Sequence, residues 1–79
     1  MTIDDMQTLY QQQKVHEALV VFDTLNGGWV VDFRTDYGDL PLTDGKGCRV
    51  SLAHELDAEQ AIAHVGDCTV QIFADHRAF

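Results

Sequence analysis

The stretch FDTLNGGWVVDF, residues 22–33, constrains the fold more than any other part of the chain, because Asn26-Gly27 stands between two β-branched and aromatic runs, ALVVFDTL and GWVVDFR. Asn-Gly is favoured where successive residues must take positive φ, the geometry that joins twisted antiparallel strands through a two-residue hairpin loop. With Asn26 and Gly27 as that loop, Leu25 faces Gly28, Thr24 faces Trp29, Phe22 faces Val31 and Val20 faces Phe33. Side chains alternate along a strand, so Val20, Phe22, Trp29, Val31 and Phe33 share one face, the expected core. The opposite face carries Leu19, Val21, Asp23, Val30, Asp32 and Arg34. Leu19, Val21 and Val30 thus form an apolar island ringed by charge, which needs cover from the N-terminal helix, from the chain's ends or from another protein chain.

Other elements follow from capping and periodicity. Thr2, with Asp5 three residues on and Asp4 beside it, opens a helix expected to run to about Lys14. Ile3, Met6, Leu9 and Tyr10 make its apolar stripe, and Gln7, Gln11, Gln12 and Lys14 face water. DYGDLPLTDGKG, residues 36–47, holds the only proline and reads as a turn-rich connection, with Leu40 to Thr43 as a short edge strand. Asp44-Gly45 turns the chain into CRVSL, residues 48–52, where Cys48, Val50 and Leu52 alternate with Arg49 and Ser51 as in a half-buried strand. Asp57 as N-cap and Gln60 at N3 predict a second helix with Ala58, Ala61, Ile62 and Val65 inward, stopped by Gly66 as a left-handed residue. In CTVQIFA, residues 68–74, Cys68, Val70, Ile72 and Ala74 alternate with Thr69, Gln71 and Phe73, which aims Phe73 outward toward the Val21 and Val30 patch. The expected fold is a single α+β domain over residues 1–79: a mixed, mainly antiparallel sheet of three to five strands, an N-terminal helix and a C-terminal β-α-β crossover.

Charge and motif spacing exclude more than they identify. Thirteen acidic residues against five basic ones give a net charge of −8, which repels phosphate backbones and anionic membranes, so no direct nucleic-acid or membrane partner is expected. The N-terminus lacks the basic start and apolar run of a signal peptide, and no run reaches the roughly 20 apolar residues of a membrane span, so a cytoplasmic protein is expected. Cys48 and Cys68 are then expected as reduced thiols buried as small apolar groups. The TDGKG stretch fails as a phosphate loop, since Leu40 stands where a glycine is required and Gly47 follows Lys46 where Ser or Thr should. Asp36, Asp39 and Asp44 miss the spacing of a calcium loop. Cys48, His54, His64 and Cys68 lack the paired spacing of a zinc site. Ser51 with His54 comes without a nucleophile elbow or an oxyanion hole. No catalytic residue, metal or cofactor is expected, and the chain is read as a non-enzyme.

The order LVVFDTLNGGWVVDF, LPLTDGKG, ELDAEQAIAHVG resembles that of small plasmid-borne accessory proteins encoded near replication or partition genes, over most of residues 18–73. That resemblance implies a maintenance or regulatory role exercised through protein contacts, and carries over no catalytic residue. A domain this short buries only about 60% of its unfolded surface, so any apolar face left over must find cover, and a second copy can supply it. The leading expectation is therefore an acidic, self-associating protein-interaction module that uses Leu19, Val21, Val30 and Phe73. The alternative is an acidic decoy that presents Asp23, Asp32, Asp36 and Asp39 to a DNA-binding protein in place of phosphates.

Overall fold

The computed structural model describes residues 1–25 and 27–73, apart from the side chain of Phe73. Asn26 and Ala74, assigned from the sequence to the hairpin loop and the last strand, lie outside the described residues. The elements are α1 (Ile3–Gln11), β1 (Val15–Asp23), β2 (Gly28–Thr35), β3 (Gly38–Pro41), α2 (Glu55–Val65) and β4 (Thr69–Phe73). They form an α+β domain around one four-stranded mixed sheet of order β3-β2-β1-β4. β1, β2 and β3 pair antiparallel in succession, and β4 runs parallel to β1. β3 and β4 therefore point the same way at opposite edges, and the β3-α2-β4 succession is the crossover, spanning the two strands between.

The crossover's first strand is β3 and not residues 48–52, which form only isolated bridges, Arg49 to Thr43 and Leu52 to Trp29. Past Pro41, where β3 ends, Trp29 has no strand neighbour on that side, and Leu52 supplies both hydrogen bonds, N–H to carbonyl in each direction at 2.8 Å. The segment satisfies the backbone groups that β3 leaves open without extending into a ladder.

The hairpin between β1 and β2 forms, with a longer loop than expected. Asp23 pairs with Gly28, Phe22 with Trp29, Val21 with Val30, Val20 with Val31 and Ala18 with Phe33, so four residues connect the strands. Asp23 is the cause: its carboxylate accepts the Leu25 N–H at 3.0 Å and its carbonyl accepts the Gly27 N–H at 2.8 Å, with Gly27 at φ 71. An Asp that turns the chain onto itself displaces the two-residue loop in favour of a longer one. The pairing slips by an even number of residues, so every side chain keeps its face. Phe22 now meets Trp29 edge-on, ring centroids 5.2 Å apart. Between β2 and β3 only Asp36 and Tyr37 intervene, and buried Thr35 closes that turn, its hydroxyl donating to the Gly38 carbonyl at 2.8 Å and accepting from the Tyr37 N–H at 3.0 Å.

Both helices lie on the Val20 and Phe33 face, α1 against α2 and β1, and α2 against β1 and β2. The core is Met6, Leu9, Ala18, Val20, Val31, Phe33, Leu42, Ala58, Ile62 and Val65. A bulge at His16, between the Val15–Thr35 and Glu17–Arg34 pairs, shifts the alternation by one, so that Val15 also packs inward. In α1, the Thr2–Asp5 capping box forms, the Asp5 N–H reaching Thr2 Oγ1 at 3.2 Å and the Thr2 N–H reaching Asp5 Oδ2 at 3.1 Å. The helix stops at Gln11, short of Lys14, because Gln13 takes φ 62. The Lys14 and Gln13 N–H groups then bond back to the carbonyls of Leu9 and Tyr10 at 3.0 and 2.9 Å, a left-handed stop of the kind usually built on glycine.

Helix α2 begins earlier than expected, with His54 at the N-cap and no side-chain cap, which places Asp57 inside the first turn. There Glu55 and Asp57 oppose the positive end of the helix dipole. Gly66 ends the helix with φ 163, extended and not left-handed. Glycine is required by space instead: a Cβ at Gly66 would stand 2.5 Å from the Tyr10 ring. That ring is held by its hydroxyl, which accepts the Asp67 N–H at 3.1 Å and donates to the Asp67 carbonyl at 3.4 Å. Gln7, expected to face water, instead donates to the carbonyl of His64 at 2.5 Å, so α1 satisfies the end of α2 and fixes where β4 departs.

Candidate interaction surface

The two faces of the sheet are covered unequally. On the face away from the helices, the cross-strand pairs run Glu17–Arg34, Leu19–Asp32 and Val21–Val30. Neither helix covers it, yet Leu19 and Val30 are buried, at 8% and 7% exposure, outside the main core cluster. Val21 is half-buried and lines a shallow surface depression with Val30, Leu25 and Arg49. Phe73 is paired in register with Val21 on β4, and its side chain lies outside the described atoms. Of the expected contact residues, then, Val21 carries described exposed surface, and Leu19 and Val30 do not.

Ion pairs border this face. Arg34 reaches Glu17 at 3.2 Å and Asp39 at 3.4 Å, and Arg49 pairs with Asp32. His16 meets Asp36, while Lys14 donates to the Tyr37 hydroxyl at 2.7 Å and lies 5.0 Å from the centre of its ring. The Tyr37 hydrogen bond is the main reason that the Lys14 ammonium is held above its ordinary range. All four acidic residues proposed as phosphate substitutes are engaged within the chain: Asp23 in its turn, Asp32 by Arg49, Asp36 by His16 and Asp39 by Arg34. Such exposed pairs contribute at most about 1 kcal/mol each, but they spend the carboxylates locally.

A second open surface is one that sequence patterning places inward. β4 forms a sheet edge, with Ala18 paired to Val70 and Val20 to Ile72, so both β4 residues point to the helix side. The helices pack over β1 and β2 and stop short of them, leaving Val70 and Ile72 at 37% and 41% exposure. Alternation alone reports the face and not the reach of the helix above it. The available signal was the strand's make-up: Thr69 to Phe73 has no charged residue and no proline, the usual protections of an edge.

Chemistry adds little to this surface. Among the described residues no three His, Cys, Asp or Glu side chains gather to hold a metal. Both cysteines are free, but contrary to expectation Cys48 is exposed and Cys68 only half-buried. Cys48 sits in the outer loop that follows Asp44, whose carboxylate accepts its N–H at 3.0 Å, so no packing encloses the thiol. Burial, with the Asp67 charge second, pushes the Cys68 thiol up and away from the reactive thiolate. Ser51 lies against Gly28, where its hydroxyl fills the space that a side chain would need. No helix among the described residues is long and apolar enough to cross a membrane. No protein family, curated protein or solved structure matches the chain.

Proposed function

We propose that the chain is a non-enzymatic interaction module that self-associates by pairing β4 with β4 of a second copy. The observation that supports this reading is an edge with no further strand among the described residues: five uncharged residues carrying exposed Val70 and Ile72. An antiparallel pairing with its twofold axis at Gln71 sets Val70 against Ile72 of the other copy and covers both pairs at once, while continuing the sheet across the dimer. Val21, next to β4 on the opposite face, widens the contact. A maintenance or regulatory role through protein contacts, as the plasmid-borne resemblance implies, is the setting that suits such a module.

Sedimentation equilibrium at low and high salt tests it. A net charge of −8 on each copy opposes association, so an apolar β4 contact gives a dimer that tightens as salt rises. A strict monomer at every concentration rejects the proposal. The acidic decoy has the net charge in its favour and predicts the reverse, binding to a basic protein that weakens steeply with salt; the internal engagement of Asp23, Asp32, Asp36 and Asp39 makes it the weaker reading.

A further inference from the structure

A groove of about 330 Å³ opens on the β3 side of the molecule, between the start of α1, the middle of α2 and the loop after β3. Its walls are Ile3, Leu42, Val50, Leu52 and Ala61, of which only Leu42 is fully buried. Among the described residues Asp4 and Asp44 are its charged lining residues, both exposed. Neither makes an ion pair among the described residues, unlike the carboxylates on the outer sheet face. Asp44 is nevertheless held in place, its Oδ1 accepting the Lys46 and Cys48 N–H groups at 2.8 and 3.0 Å. The Met1 amino group is held by Thr43 Oγ1 at 2.7 Å, within ion-pair distance of neither carboxylate. An anion is disfavoured at the helix start, where the Asp4 and Asp5 carboxylates already stand in the first turn.

We propose that this groove binds an apolar organic cation, a primary ammonium on a hydrocarbon body. The apolar walls take the body, and Asp4 and Asp44 take the charge. A dry cavity of about 150 Å³ is enough for benzene, so a groove of about 330 Å³ accommodates a substituted six-membered ring. The site lies across the sheet from β4 and does not depend on self-association.

The test is an amide-resolved NMR titration of the full chain with three ligands sharing one ring: cyclohexylmethylammonium, cyclohexylmethanol and cyclohexanecarboxylate. The ammonium compound is expected to shift the amides of Ile3, Val50, Leu52 and Ala61 and to bind about tenfold tighter than the alcohol, with the carboxylate weakest. The pair Asp4→Asn and Asp44→Asn, which keeps the acceptor of the Asp44 turn, should reduce the ammonium to the alcohol's affinity. Ala61→Leu, which fills the groove, should remove binding of both. Equal binding of ammonium and alcohol, preference for the carboxylate, shifts confined to other surfaces, or no shift up to the solubility limit overturns the proposal.

Discussion

The two edges of the sheet are built on opposite plans. β3 is short, ends at Pro41, and carries Asp39 paired to Arg34. The chain then folds back over its continuation, the Val50 N–H bonding to the Leu42 carbonyl at 3.0 Å and Leu52 closing on Trp29. Within Thr69–Phe73 and among the described residues, β4 has none of these devices: no proline, no charge, and Val70 and Ile72 half out of cover. A free strand edge offers hydrogen-bonding groups to any extended chain, and proteins normally blunt it. Among the described residues one edge is blunted and the other is not, and that difference is the ground for proposing contact at β4.

The sharpest way to break this contrast is to install on β4 what β3 already has. Val70→Lys with Ile72→Lys should abolish the proposed dimer, weakening association by about 3 kcal/mol or more, a factor above about 100, with unchanged circular dichroism. If association survives, the contact lies elsewhere. Next in size is the junction that launches β4. Gly66→Ala drives a methyl into the Tyr10 ring and should cost about 1–3 kcal/mol in urea unfolding, through overpacking and not backbone strain. Stripping the protected edge, with Pro41→Val and Asp39→Val, should create new concentration-dependent light scattering at a gain of about 1 kcal/mol in association, reversed by restoring either residue.

Three smaller effects sharpen the picture. Cys48 should be alkylated several-fold faster than Cys68 at neutral pH, and pairing through β4 as proposed should lower the Cys68 rate further with rising concentration. Because the native Cys68 thiol ionises at higher pH than an unfolded one, its contribution to stability is intact at neutral pH. It is lost as pH rises from the ordinary thiol range through the raised native value, which Cys68→Ala should partly relieve in alkaline unfolding. Last, Gln13→Gly relieves a left-handed non-glycine residue and should raise stability by about 0.5–1 kcal/mol, with no change in association.

How far the sequence could be read depended on what kind of interaction decided each feature. Capping and alternation are local, and they delivered the Thr2–Asp5 box, the Met6 and Leu9 stripe, the Ala58, Ile62 and Val65 stripe, and the sorting of Val20, Val31 and Phe33 inward. The connection at Asn26-Gly27 is longer than those two residues imply because Asp23 turns the backbone before they are reached, an interaction that residue-pair preferences omit. Residues 48–52 alternate like a strand but had only the stub of β2 around Trp29 and the continuation of β3 to pair with, which only the assembled sheet reveals. The need for glycine at 66 was legible and its reason was not, since Tyr10 is remote in sequence. The candidate surface was least visible of all, because whether Val70 and Ile72 are covered depends on the position of two helices, which no pattern within CTVQIFA encodes.

The parallel seating of β4 beside β1 has a consequence for how the molecule comes into being. The β1-β2-β3 meander closes through short turns, whereas every pair between β1 and β4, from Glu17–Thr69 to Val21–Phe73, joins residues 52 apart with the whole of α2 between them. Closing that seam is therefore a long-range step, expected to be slow beside hairpin formation, and until it is made the flank of β1 is an unpaired edge open to other chains.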